Sequence, residues 1–321
     1  MSSAANTSSA DTVVTMLGGL GMQVASRFAR SLRETGTNCR LVFLLPSTRS
    51  SRDIMAAVSE WRVQPHYYET SQPPYDRLRG NRAKLIRYWA ALEFLQQQQQ
   101  QGAPAGRVLL ADSRDVIFQR DPFTIEADPQ RPLDVFLEDY FRTYANSGIN
   151  QGHVVPCFGA DAVKRVFLSP PRPVSCSGVT MGTRDAVVRY LRLMWAELSS
   201  SRYSATCLLH DQAFHNWLLW RDKLGPVRVW SNEAGPVTTI GWPEHLYRDR
   251  FGRVLNREGA LVHVVHQYDR RKRLVASLGH RYALVERPEP PPRTRAGVDT
   301  TAAFSQRGWL ISDHPPSNAA T

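Results

Sequence analysis

Long apolar runs are missing from this 321-residue chain. Nowhere does an uncharged hydrophobic stretch approach the ~18–20 residues that cross a bilayer, so no membrane-spanning helix is expected. The first residues, "MSSAANTSSADT", lack the basic start and apolar core of a secretory signal, and the expected location is cytoplasmic. Cysteine is scarce: Cys39, Cys157, Cys176 and Cys207 lie far apart with no CxxC pair. That spacing argues against a zinc ribbon or a disulfide framework and fits a reducing compartment. Acidic residues are in deficit, 29 against 40 Lys and Arg, for a net charge of +11. Such a charge calls for anionic partners, namely nucleic acid, an acidic membrane surface or a phosphate-bearing substrate, unless it is only an arginine bias in composition. No internal repeat and no break in composition divides the chain.

What is present is an alternation. "TVVTML" (12–17) is a short strand, "GGLG" (18–21) a turn, and "MQVASRFARSLRETG" an amphipathic helix. "CRLVFLL" (39–45), helix-like "SRDIMAAVSEW" and strand "VQPHYY" (63–68) follow, then a helix over "NRAKLIRYWAALEFL" (81–95). Gln96–Gln101 and "GAPAG" read as a frayed helix end and a loop, ahead of a fourth strand over 107–112. Strands alternating with helices predict an α/β fold with a mostly parallel sheet. Beyond 130, strands are expected at "LDVFLED" (133–139), "VRVWS" and "LVHVVHQ", and helices after "GVTMGT" and over "DQAFHNWLLWRD" (211–222). The folded domain is placed at 12–285, between a polar tail at 1–11 and a Pro- and Arg-rich tail at 286–321, both expected to be disordered.

The fourth strand carries the chemistry. "GRVLLADSRDVIFQRDPF" (106–123) ends an aliphatic run in Asp112-Ser113-Arg114-Asp115 and then resumes with Val116-Ile117-Phe118. Ligands of parallel sheets bind outside the carboxyl ends of the strands, where Asp112 stands. Two carboxylates there offer the hard oxygens that Mg²⁺ and Mn²⁺ prefer. The plain alternative is a strand-end turn in which Asp caps and Arg pairs locally. Three other stretches add to it. "SCSGVTMGT" (175–183) is small enough for a ligand to approach the backbone at Gly178. "HDQAFHNWLL" (210–219) opens a helix with Asp211 and Gln212, which also suit an N-cap and a first-turn dipole partner. "VHVVHQYDRRKRL" (262–274) ends a strand in His266 and passes into a basic run that includes Lys272.

Together these blocks resemble the nucleotide-sugar glycosyltransferases of the GT-A fold over roughly residues 12–285. "ADSRDVIFQRDPF" is similar to the strand-end DxD-type motif, "CSGVTMGT" to the "NSGV" loop near the donor sugar, and "DQAFHN" to the "DQxxxN" helix start. His266 with Lys272 six residues on looks like the late His-x5-Lys of the retaining family 8 enzymes. The chain departs from the pattern in spacing its acidic pair i, i+3, in Cys176 where the loop has Asn, and in Asp269, Arg273 and Leu274 around the last motif.

The resemblance implies a single Rossmann-like GT-A domain. It would move a sugar from a nucleoside-diphosphate sugar to a hydroxyl of a glycan, lipid-linked or protein acceptor with Mn²⁺ or Mg²⁺. Asp115 and His266 would be metal ligands, and Asp112 a ligand or a ribose contact. Arg87, Arg114 and Lys272 would meet the diphosphate or pair locally, Gly178 would meet the donor, and Asp211 and Gln212 would orient the sugar or acceptor. For an inverting reaction Asp211, Glu138 or Asp139 compete as the base; the pattern leans towards retention. The basic surface would attract the donor, or an acidic membrane bearing the acceptor, and no nucleic acid is expected.

Three rivals remain. "GGLGMQ" (18–23) is similar to the "GGLGNQ" of metal-independent fucosyltransferases with two Rossmann domains, but no "HxRRxD" follows. The seven Lys and Arg against three Asp and Glu between His266 and Arg293 suit a nucleic-acid binder, but no recognisable module accompanies them. A metal-dependent phosphohydrolase would want more clustered carboxylates and histidines.

Overall fold

The computed structural model of the chain describes residues 10–71, 73, 83–139, 141–204, 206–242 and 246–282. The C-terminal tail from 286, most of the N-terminal tail and the first two residues of the helix expected at 81–95 lie outside the described residues.

Strands β1 (Thr12–Met16), β2 (Arg40–Pro46), β3 (Val63–Tyr68), β4 (Arg107–Ala111), β6 (Leu133–Leu137), β7 (Ser175–Thr183) and β8 (Val227–Trp230) form one sheet in the order β3-β2-β1-β4-β7-β6-β8. Every pairing is parallel except those of β7, which runs antiparallel to both β4 and β6. The α/β class and the mostly parallel sheet are as the alternation predicts. The strands are nearly unbroken aliphatic runs because both faces are covered. Val13, Leu41, Phe43 and Leu109 pack on one face against α1 (Met22–Arg33) and the helix α2 (Arg49–Ala57). Val14, Val42, Leu44 and Val108 pack on the other against α3 (Ala83–Gln100), α6 (Arg184–Leu198) and α7 (Asp211–Leu219). The alternation of neighbours such as Val13 and Val14 between the two clusters is the period of two of a strand.

Helix starts follow from local chemistry. Thr48 accepts from the Ser51 N–H at 3.2 Å to cap α2, and Thr183 accepts from the Ala186 N–H at 3.3 Å to cap α6. Between β6 and β7 lie two helices that the sequence pattern did not reveal, α4 (Gly148–Phe158) and α5 (Ala160–Phe167). Their apolar residues Val154, Val163 and Phe167 pack with Tyr144 and Trp217 in a separate cluster. A second, small sheet in the order β5-β12-β9 joins β5 (Val116–Phe118), β12 (Val264–His266) and β9 (Val237–Thr239). It is backed by the short hairpin of β10 (Tyr247–Arg248) and β11 (Val254–Leu255) and by α8 (Lys272–Arg281).

Two expectations need correction. The glutamine run is not a frayed end: Gln96–Gln100 complete α3, where glutamine is a good helix former. Gln98 accepts from the Arg40 guanidinium and Gln99 donates to Asp185 at 2.8 Å, so tertiary bonds hold the last turns. Nor are all four cysteines thiols: Cys157 in α4 and Cys207 are joined as a disulfide, while Cys39 and Cys176 are free and buried. Fifty residues separate that pair in sequence, and their proximity follows only from α4 lying against the segment before α7. No helix among the described residues is long and apolar enough to cross a membrane.

Helix α7 is docked to β7 by polar groups that are wholly buried. The Asn216 amide accepts from the Ser175 N–H at 2.8 Å and donates to the Ser175 carbonyl at 2.7 Å. His215 sits between the Ser175 and Tyr190 hydroxyls, each 2.9 Å from a ring nitrogen. Burial pushes its pKa down to about 4, against ~6.5 in an unfolded chain, so the ring is neutral in the fold. On acidification the unfolded state takes up this proton first, and stability is lost as pH falls from ~6.5 towards 4. Urea denaturation is expected to show about 2 kcal/mol less stability at pH 5 than at pH 7 from this residue. That part of the pH dependence disappears in His215→Asn, and an unchanged slope in the variant would refute the assignment.

Candidate metal centre

The chain leaves β1 for β2 and β3 on one side and returns to β4 on the other, which makes the β1–β4 junction a topological switch point. The segment after β4 lies across it. The Asp112 N–H donates to the Gly178 carbonyl at 2.7 Å, and the Ser113 hydroxyl donates to the Met16 carbonyl at 2.6 Å. Three residues on, Asp115 begins the passage into β5 and is buried. β5 runs antiparallel to β12 with Val116 opposite His266, which sets the imidazole beside both carboxylates. His266 Nε2 is 3.7 Å from Asp112 and 3.6 Å from Asp115. The i, i+3 spacing is therefore the length of the turn between two sheets, with one carboxylate at the end of each connected strand.

One ligand atom each from Asp112, Asp115 and His266 lies within 4.8 Å of the others. Two hard oxygens and one imidazole nitrogen suit Mn²⁺ or Mg²⁺, with coordination positions left over for a ligand. The opposite nitrogen, Nδ1, faces the Cys176 sulfur and the Thr239 hydroxyl, each at 3.4 Å, which orients the ring. Burial opposes the charged imidazole, but Cys176 and the two carboxylates outweigh it and hold the His266 pKa well above the usual histidine range. Burial raises the Asp115 pKa; His266 works against that rise, and the neighbouring carboxylates of Asp112 and Asp269 add to it. The imidazolium proton occupies the role of counter-ion that a divalent cation would take.

Arg87 on α3 supplies the other cation. It donates to Asp112 on one side and to Asp211, the first residue of α7, on the other. Burial disfavours the charged form of Asp112, but Arg87 and His266 together bring its pKa down to about 2. Tyr88 closes the bridge, its hydroxyl donating to Asp211 at 3.0 Å. Asp211 thus belongs to the same electrostatic unit as the carboxylate pair, through Arg87.

Gly178 explains why a small residue is required. The pairing of β6 with β7 slips between Val135 and Phe136, so that Ser177–Val179 leaves β6 and swings towards β4. Such bulges re-aim a strand next to a site. A β-carbon on Gly178 would stand 2.5 Å from His266 Nε2 and 2.9 Å from the Asp112 carboxylate. Gly178→Ala is expected to weaken Mn²⁺ binding at least tenfold in a direct titration, with the far-ultraviolet circular dichroism unchanged. Wild-type affinity in that variant would show that the triad is not the metal site.

Of the remaining expected residues, Arg114 borders this centre. Arg114 is on the rim, 61% exposed, with its guanidinium 3.1 Å from Asp269 and 3.8 Å from Asp115. The Gln212 amide turns away to Asn150 on α4 at 3.3 Å. Lys272 opens α8 and is exposed. Sequence reasoning did not single out Tyr88 or Thr239 for the site. Thr239 had no signal of its own, because only the pairing of β9 with β12 sets it opposite His266. Glu138, just past β6, is buried; burial raises its pKa against the attraction of Arg142, Arg270 and His266. Beside it opens a groove of about 390 Å³ lined by Asp139, Phe141, Arg142, Trp242, Tyr247 and Arg257 among others.

No protein-family model matches this chain, and no curated protein matches it.

Proposed function

We propose that the chain is a metal-dependent glycosyltransferase of the GT-A type that uses a nucleoside-diphosphate sugar. The observation that carries this reading is the Asp112–Asp115–His266 cluster at the carboxyl end of β4, on the switch point of a mostly parallel sheet. Mn²⁺ or Mg²⁺ held there would act as a Lewis acid towards the departing diphosphate. Asp112, Asp115 and His266 would hold the ion, and the Ser177–Gly178 backbone would allow close approach of the donor. Arg87 holds Asp112 ionised and fixes Asp211 at the mouth of α7, which keeps the ligand geometry preorganised before the donor arrives. Arg114 at the rim would meet the diphosphate by exchanging its local partners for phosphate oxygens. The groove lined by Asp139 would take the acceptor, and Asp211, Glu138 or Asp139 would accept the proton from its hydroxyl should the reaction invert.

The reading is tested by thermal-shift measurements with a panel of nucleoside-diphosphate sugars, each with and without Mn²⁺. One donor is expected to raise the melting temperature only with the metal, by roughly 5 °C at a hundredfold excess over its dissociation constant. Metal-independent shifts, or none with any donor, would overturn it.

A further inference from the structure

A second group of metal-ligating side chains lies outside this centre. His153 and Cys157 are spaced i, i+4 on α4, so both project from one face of that helix. Cys207 and His210 are spaced i, i+3 across the 3₁₀ turn Cys207–Leu209, whose three-residue period likewise brings them to one face. The two faces meet. Cys157 and Cys207 are bonded with their Cα atoms 5.3 Å apart, and the rings of His153 and His210 stack with centroids 3.9 Å apart and planes 15° from parallel. Cys207 is buried and the other three are partly so. Two sulfurs and two imidazoles, drawn pairwise from two short helical segments as His-x₃-Cys and Cys-x₂-His, are the Cys₂His₂ ligand set of a closed tetrahedral zinc site.

We propose that, with its cysteines reduced, this cluster binds one structural Zn²⁺ through Cys157, Cys207, His153 and His210. A thiol reductant delivers two electrons and two protons to the disulfide and is itself oxidised to a disulfide. Zn²⁺ then displaces both thiol protons, leaving two thiolates and two neutral imidazoles around the ion. To hold the ion, the sulfurs would separate from the ~2.0 Å of the bond to the ~3.7 Å of a tetrahedron with Zn–S of ~2.3 Å, and the two imidazoles would turn out of their stack so that one nitrogen of each faces the ion. The oxidised and metal-bound forms are alternative ties between the same two segments. Soft sulfur ligands distinguish this site from the oxygen-rich one at Asp112 and Asp115, so the two select different ions. Its last ligand, His210, directly precedes Asp211. The zinc thus anchors the start of α7 on α4 and holds the carboxylate that faces Arg87. This inference is independent of the sugar-transfer reading.

The test is a Co²⁺ titration of the full chain, reduced and kept anaerobic. The expected result is saturation of a thiolate-to-cobalt charge-transfer absorption and strong visible bands at one equivalent, which the Asp112–Asp115–His266 centre cannot produce, and their loss on adding Zn²⁺. Cys207→Ser removes the charge-transfer band or weakens it with affinity, and His153→Ala and His210→Ala each weaken Co²⁺ binding at least tenfold. Folded, reduced wild-type protein without thiolate–cobalt absorption overturns the proposal. So do His153 and His210 variants with unchanged affinity, since the pair is then a plain disulfide.

Discussion

Asp115→Asn is expected to abolish the Mn²⁺-dependent rise in melting temperature while leaving the metal-free protein at least as stable as the wild type. The two effects have one cause. Asp115 is 6% exposed and shares His266 with a second carboxylate, so in the metal-free fold its charge is costly to bury and is repelled by Asp112. An amide of the same shape removes that repulsion and part of the desolvation cost. It also removes an anionic oxygen from a three-residue ligand set, and a neutral amide oxygen beside the remaining pair holds a divalent ion far more weakly. If binding contributes about 2.7 kcal/mol at a hundredfold excess of ligand, the variant should show none of it in the thermal-shift assay. A variant that is strongly destabilised without metal and still responds to Mn²⁺ would mean that Asp115 is a structural partner of His266 and Arg114, and that the metal lies elsewhere.

Arg87→Met should cost more in stability than any other substitution at this centre. The guanidinium is the shared partner of Asp112 and Asp211 and also donates to the Tyr88 hydroxyl at 2.7 Å. Truncating it leaves two carboxylates facing each other across the end of the sheet. Removing one partner of a buried pair typically costs about 3–5 kcal/mol, and the partial exposure of Asp112 puts this case near the lower figure. Urea denaturation should therefore place Arg87→Met about 3 kcal/mol below the wild type. In Arg87→Met with Asp211→Asn the loss should shrink, because one of the two charges left by Arg87 is gone and with it their mutual repulsion. Additive losses in the double variant would contradict a shared ion pair and assign the Arg87 effect to packing alone.

Much of the frame was open to reading along the chain. Valine and leucine runs at 12–17, 39–45 and 107–112, spaced by amphipathic helices, require a parallel sheet covered on both faces, and the strands fall within one residue of them at each end. The carboxyl-end position of Asp112 follows from the same pattern. The helices α4 and α5 were not legible, because "GINQGHVVPCF" carries glycines and a proline and its apolar residues serve a side cluster with Trp217, far along the chain. The glutamine run was misjudged for a related reason. Periodicity of apolar residues marks a helix only where it is buried, and these last turns are held by Arg40 and Asp185 instead.

By itself, then, the sequence determined what local chemistry determines: most strand and helix positions, the caps, and the acidic tip of β4. Tertiary structure alone decided which of these meet. The i, i+3 carboxylates converge because β5 leaves the main sheet and pairs with β12, which brings His266 from about 150 residues away in sequence. Gly178 touches that triad only because β7 slips against β6. Cys157 and Cys207 looked like isolated thiols in the chain, and become one cluster with two histidines once α4 rests on the start of α7. Contacts of this kind depend on the register and crossing of whole elements. Those are set by burial across the entire core, to which the residues that make the contacts contribute little.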